Sequence, residues 1–229
     1  MHLVILLLLV LALVFGPQLW AKSVLKRYSK QQKHYPGTGA EFAQHLLNKS
    51  GLTVVKVEKT TFGDHYDPVD RCVRLSEQNF DGKSLTAVTV AAHEVGHAIQ
   101  HGENDPKLMM RARLVRIAQV TEKVGSLAMF AVPLLMGITR MPSVGALMFF
   151  IGLMSLGVSA LVHLVTLPVE WDASFGKGKA MPLIHAGAYL SREEERGAKK
   201  ILRACALTYF ATSLSSLLNI WRWLRFLRR

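Results

Sequence analysis

Acidic residues are scarce in this sequence: 16 Asp and Glu stand against 28 Lys and Arg, a formal charge of +12. An excess of that size suits nucleic acid or an anionic lipid surface. No stacking-aromatic or helix-turn-helix pattern accompanies it, and much of the basic charge adjoins apolar blocks. Lipid headgroups are therefore the simpler partner, and nucleic acid is not expected. Cysteine is scarcer still. Cys72 and Cys205, the only two, are separated by most of the chain, which argues against a disulfide framework and against a zinc site built on paired cysteines.

What the sequence has in quantity is apolar residues, half of the 229, gathered into runs. The first run, 3–20, is long enough to cross a bilayer at about 1.5 Å per residue. No basic residue precedes it and no clear small-x-small cleavage site follows, so a retained anchor is expected rather than a cleaved signal peptide. Lys22, Lys26, Arg27, Lys30 and Lys33 crowd its downstream flank, which places the following segment on the cytoplasmic side. Runs 124–139 and 144–167, separated by Arg140-Met141-Pro142-Ser143, read as a membrane hairpin. A fourth run, 204–218, bordered by Trp221 and Trp223, either spans or lies in the interface. If it spans, Arg222, Arg225, Arg228 and Arg229 finish on the side opposite the other basic loops. The expectation is a multi-pass protein of the cytoplasmic membrane. It divides into an anchor over 1–21, a soluble part over 22–123, a hairpin over 124–167, a soluble segment over 168–203 and a final membrane or interfacial helix over 204–229.

Between the runs the pattern is α+β and predominantly helical. Phe42, Leu46 and Leu47 recur at helical spacing before Gly51, which suits a stop. Segments 53–59 and 71–75 carry β-branched residues and read as strands, with a turn-rich loop, Gly63-Asp64-His65-Tyr66-Asp67-Pro68, between them. From Leu85 the chain is Ala-rich, free of proline and helical through about His101.

That helix carries His93-Glu94-Val95-Gly96-His97. Residues four apart on a helix project about 40° from one another, so the two histidines can share one metal ion. Glu94 lies on the same half of the helix and is the natural general base for a water at that ion. Gly96 allows a second element to approach closely. A catalytic zinc takes three protein ligands and leaves a position open, and Glu170 is the expected third. It follows run 144–167 at once, and two crossings after His97 return the chain to the same face. The alternative for Glu170 is an interfacial carboxylate balanced by Lys177 and Lys179. Asp172 is placed to accept from a histidine N–H. His101 continues the i, i+4 series and is a candidate for contact behind the metal or with the transition state, whereas packing is expected of His163. His65 and Tyr66 are candidates to stabilise an oxyanion, with a plain turn as the alternative. Arg71, Cys72, Val73, Arg74 and Leu75 form a candidate edge strand for an extended substrate.

Taken in order, several segments resemble the YugP family of neutral zinc metallopeptidases over nearly the whole chain: Gly37-Thr38-Gly39-Ala40-Glu41, Asp64-His65-Tyr66-Asp67-Pro68, Arg74-Leu75-Ser76, Val90 through Gln100 around the zinc motif, Leu167-Pro168-Val169-Glu170-Trp171-Asp172-Ala173-Ser174, and Gly197-Ala198-Lys199-Lys200-Ile201-Leu202 with Ala206-Leu207-Thr208-Tyr209. The resemblance implies a small membrane-anchored, zincin-like (gluzincin) peptidase, similar in plan to the HtpX-like proteases, with a small β-sheet and about four membrane helices. It implies one zinc ion and protein or peptide substrates, membrane proteins among them. It also implies a glutamate downstream of the hairpin, here Glu170, as a ligand. Phe175-Gly176-Lys177-Gly178-Lys179-Ala180 departs from the family pattern, which has a basic pair followed by alanine. Two other readings stay open: a zinc-binding membrane scaffold or assembly factor without proteolysis, and a lipid-binding module. The first predicts bound metal without a Glu94-dependent product, the second binding to lipid that is indifferent to His93.

Overall fold

The computed structural model describes residues 2–139 and 142–217. Eight helices and three strands follow in the order α1 (His2–Tyr28), α2 (Gly39–Lys49), β1 (Lys56–Thr60), β2 (His65–Asp67), β3 (Cys72–Ser76), α3 (Glu77–Phe80), α4 (Leu85–Gly102), α5 (Pro106–Thr139), α6 (Pro142–Phe175), α7 (Ala180–Ala186) and α8 (Arg192–Leu217).

Local chemistry sets the helix starts. Thr38 caps α2, its hydroxyl accepting from the Glu41 N–H while the Glu41 carboxylate accepts from the Thr38 N–H, which satisfies two of the backbone donors a helix start leaves open. Ser84 does the same for α4, accepting from the Ala87 N–H at 3.2 Å. Asp105 accepts from the Lys107 N–H at 2.7 Å, and Pro106 opens α5 at a position where its missing N–H costs nothing.

The sheet has the order β1-β3-β2, with β1 parallel and β2 antiparallel to β3. Segment 53–59 contains most of β1, and segment 71–75 most of β3. The loop expected at Gly63 to Pro68 contains β2, a three-residue strand turned back onto β3 by Asp67, which accepts from the N–H groups of Val69 and Asp70 at 2.8 and 3.2 Å. Arg71 completes the turn with a left-handed φ of 49°.

The core forms around α4, whose residues from Leu85 to Gln100 are all buried. Leu46 and Leu47 of α2, Val73 and Leu75 of β3, Ile184 of α7 and Ile201 and Leu202 of α8 join it. Helix α1 lies along α8, α8 along α6 and α6 along α5. The basic neck after α1 is held at both ends. The Gln32 N–H donates to the Lys83 carbonyl and the Lys83 N–H to Gln31 Oε1. His34 Nε2 and the Tyr35 hydroxyl meet Glu194 Oε1 in the first turn of α8 at 2.7 and 2.8 Å.

The expected set of about four membrane helices is corrected here. Among the described residues no helix is long and apolar enough to cross a membrane, and the fold is α+β, mostly helical with a small sheet. An apolar run demands burial without saying against what. In this molecule the runs belong to longer helices that pack on one another, and several of those helices carry charge: α5 opens with Lys107, Arg111, Arg113 and Arg116, and α8 with Glu193, Glu194 and Glu195. Arg140, Met141, the end of run 204–218, its Trp221 and Trp223 border and the basic tail lie outside the described residues.

Candidate metal centre

Helices α4 and α6 meet at a point where one of them has no side chain. A Cβ built on Gly96 would lie 2.3 Å from the Ala173 carbonyl oxygen, closer than carbon and oxygen can pack. This contact sets the groups around position 96 on α4 against those around position 173 on α6. His93 and His97 come from the first helix, Glu170 and Ser174 from the second, each pair spaced i, i+4 on one helix face.

Both histidines aim Nε2 at the same atom, Glu170 Oε2, each at 3.1 Å. All three residues are buried. At the far side of each ring, His93 Nδ1 meets Ser174 Oγ at 3.1 Å and His97 Nδ1 meets Gln100 Oε1 at 2.9 Å. Arg111 of α5 places Nη2 3.3 Å from the other carboxylate oxygen, Glu170 Oε1. Among the described residues that oxygen has no hydrogen-bond partner, so the contact is ionic and not directional. Burial alone would raise the Glu170 pKa, but His97 and His93 hold the carboxyl well below its ordinary range.

The donor set fits a metal ion. One ligand atom from each of His93, His97 and Glu170 lies within 4.8 Å of the others. Tetrahedral ligands at zinc distances sit about 3.3 Å apart, close to the 3.1 Å found between each histidine and the carboxylate. Two imidazole nitrogens and a carboxylate oxygen converging in a buried site need shared protons or a cation between them, and a zinc ion meets that requirement.

Glu94 is buried beside His93. Burial is the chief cause that lifts its carboxyl to about 7, with Glu170 and Asp64 adding to the rise and His93 and Arg111 opposing it. The expectation that Asp172 accepts from a histidine N–H is corrected: it accepts from Gln100 Nε2 at 2.7 Å, and Gln100 itself occupies His97 Nδ1. His101 lies one turn beyond His97, outside the donor cluster, with its Nδ1 at 2.8 Å from the Tyr66 hydroxyl. His65, on the opposite face of β2, has its Nδ1 at 2.9 Å from the Gly63 carbonyl, which ties it to its own turn. The side chain of His163 lies outside the described residues.

The expectation of a substrate edge strand at Arg71 to Leu75 is also corrected. β3 is paired along both sides, so its backbone groups are taken. Cys72, Val73 and Leu75 are buried, and Arg74 is paired with Asp67 and Asp70. Only Arg71, in the turn, is exposed. Lys179, a candidate partner for Glu170, pairs instead with Glu103 at the end of α4, and Lys177 is exposed.

Gln100, Ser174 and Arg111 were not singled out from the sequence. Gln100 had a signal, since it lies three residues from His97 on a buried face. Ser174 would have had one, i, i+4 from Glu170, had the helix been extended past Pro168. Arg111 had none: its approach to Glu170 depends on how α5 packs against α6.

The profile of a family described as "Putative neutral zinc metallopeptidase" matches residues 3–228. "Putative membrane protease YugP" of Bacillus subtilis (strain 168) is 37% identical over 214 residues, covering 93% of this chain and 90% of that protein. No solved structure matches the chain. With a donor cluster suited to zinc and a match along almost its entire length, the chain belongs to this family of neutral zinc metallopeptidases.

Proposed function

We propose that the protein is a zinc-dependent endopeptidase in which His93, His97 and Glu170 hold the ion and Glu94 is the general base. The observation that carries this reading is the convergence of three buried donor atoms from two helices with the buried Glu94 carboxyl next in sequence to one of them. When bound, zinc supplies Lewis acidity toward a carbonyl and toward water. Glu94, buried beside His93, would take a proton from the attacking water and pass it to the leaving amine. The Ser174 hydroxyl meets the His93 ring on the side away from Glu170, and the apolar surroundings of α4 keep bulk water away. For an extended substrate segment, β2 offers the free sheet edge that β3 lacks, and Tyr66 on β2 reaches α4.

Glu94→Gln is expected to keep zinc and lose cleavage, whereas His93→Ala loses both. Metal content and newly formed protein termini, compared between cells expressing wild type and Glu94→Gln, check this. Full activity in Glu94→Gln would remove Glu94 as the base, and bound zinc with no Glu94-dependent termini would favour the scaffold.

Association with lipid is part of the same proposal. It is supported by the relative's name, a membrane protease, and by exposed Phe15, Leu19 and Trp20 on α1 and Leu127 and Leu134 on α5. The protein should float with liposomes and resist a high-salt wash; recovery in the unbound fraction would contradict it.

A further inference from the structure

One fully buried polar side chain touches both helices of the centre without being a ligand. Gln100 is 0% exposed and makes three contacts. Its Nε2 donates to the Val169 carbonyl at 3.0 Å and to Asp172 Oδ2 at 2.7 Å, and its Oε1 faces His97 Nδ1 at 2.9 Å.

The two ends of a carboxamide have the same outline, so its orientation has to follow from its partners. A backbone carbonyl and a carboxylate can only accept. Both lie against the same end of Gln100, which makes that end the NH₂ group. The opposite end is then the oxygen, which can only accept, and His97 Nδ1 has to carry the hydrogen. A neutral imidazole with its hydrogen on Nδ1 has its lone pair on Nε2, and Nε2 is the atom directed at Glu170. We propose that Gln100 is the positioning residue that fixes the tautomer and ring angle of His97, and that Asp172 and the Val169 carbonyl act on the histidine only through it. His93 has no such constraint, because its partner is the Ser174 hydroxyl, which can donate or accept. The two histidines are chemically unequal: one is held in a single tautomer by an acceptor, the other is free to adjust. The same amide joins α4 to α6, so orientation of the second donor and placement of the third are set together.

The inference rests on the zinc reading above, and the test separates the two. Full-length wild type, Gln100→Leu, Gln100→Glu and Gln100→Glu/Asp172→Asn are prepared metal-free with ¹⁵N-labelled histidine. Their imidazole nitrogens are read by NMR at mildly alkaline pH, and Zn²⁺ affinity is measured by chelator competition. Wild type should show His97 protonated on Nδ1. Gln100→Leu should mix the tautomers and weaken zinc by about 10- to 100-fold, the usual effect of losing a ligand's partner. Gln100→Glu keeps an acceptor for His97 but turns it against Asp172 and the Val169 carbonyl, and should also weaken zinc. The double variant restores a donor at position 172 and should recover most of that loss.

An unchanged His97 tautomer and unchanged zinc affinity in Gln100→Leu would overturn the proposal. So would a lower melting temperature with both readouts unmoved, which is the mark of a purely structural residue. If Gln100→Leu does not fold, the comparison of Gln100→Glu with the double variant decides, and absence of recovery overturns it. If wild type binds no zinc, the metal reading fails, and the tautomer signature still decides the role of Gln100.

Discussion

Glu194 shows how much one carboxylate can organise at the residue scale. Burial would raise its pKa, but the Ser191 N–H and hydroxyl, the Tyr35 hydroxyl and His34 bring it down to about 2. Because the folded value lies below the ordinary 4.5, the stability this group contributes is fully present above about pH 4.5 and is lost as pH falls toward 2. Glu194→Gln is therefore expected to lower stability at neutral pH by about 1 to 2 kcal/mol, with the difference vanishing near pH 2. Urea unfolding of both proteins at the two pH values checks this, and a difference independent of pH would contradict it. Residues of this kind were only partly legible in the sequence. The histidine pair and Glu94 could be read because their spacing is local to one helix. Glu170 is legible through the family resemblance, whereas the two membrane crossings that also led to it find no support in any described helix. Gln100 has only its spacing from His97 to mark it, because a glutamine in a helix carries no defined role until its partners on α6 are known. Asp172 is legible as a polar neighbour of the centre, but the direct contact with histidine that its position suggests is occupied by Gln100.

At the scale of elements, the crossing of α4 and α6 controls the centre. Gly96→Ala would press a methyl group against the Ala173 carbonyl, and since that partner is backbone the helices themselves have to separate. A cost of about 1 to 3 kcal/mol in stability is expected, together with weaker zinc binding as Glu170 moves away from the histidines. Gly16, with nothing within 4 Å of its missing Cβ, is the control: Gly16→Ala should leave zinc affinity unchanged. Thermal melts and chelator competition on both variants measure the two effects. Helices were easier to read than strands because periodicity and caps are local. β2 was missed because three residues rich in turn formers offer no run to recognise, and without β2 nothing showed that β3 has partners on both sides. The central place of β3 is a fact of pairing, and pairing joins residues whose separation the sequence does not weight.

For the whole molecule, composition made the apolar runs plain and left their surroundings open. The same leucine-rich helix can be covered by lipid or by another helix, and here α1, α8, α6 and α5 pack against one another in turn while Phe15, Leu127, Leu134 and Phe150 stay exposed. A related ambiguity exists between inside and outside. Glu103 is more than half exposed, whereas its partner Lys179 is 4% exposed and stands in the loop that follows Glu170, Asp172 and Ser174. Removing the outer charge would strand the inner one in a region where an unpaired ammonium is costly. A tolerance map ranked by solvent contact would class Glu103 as free to vary, yet its substitution would act as an interior change. Its effect would reach the stretch of chain just past Glu170 and Ser174 from the surface, through a single ion pair.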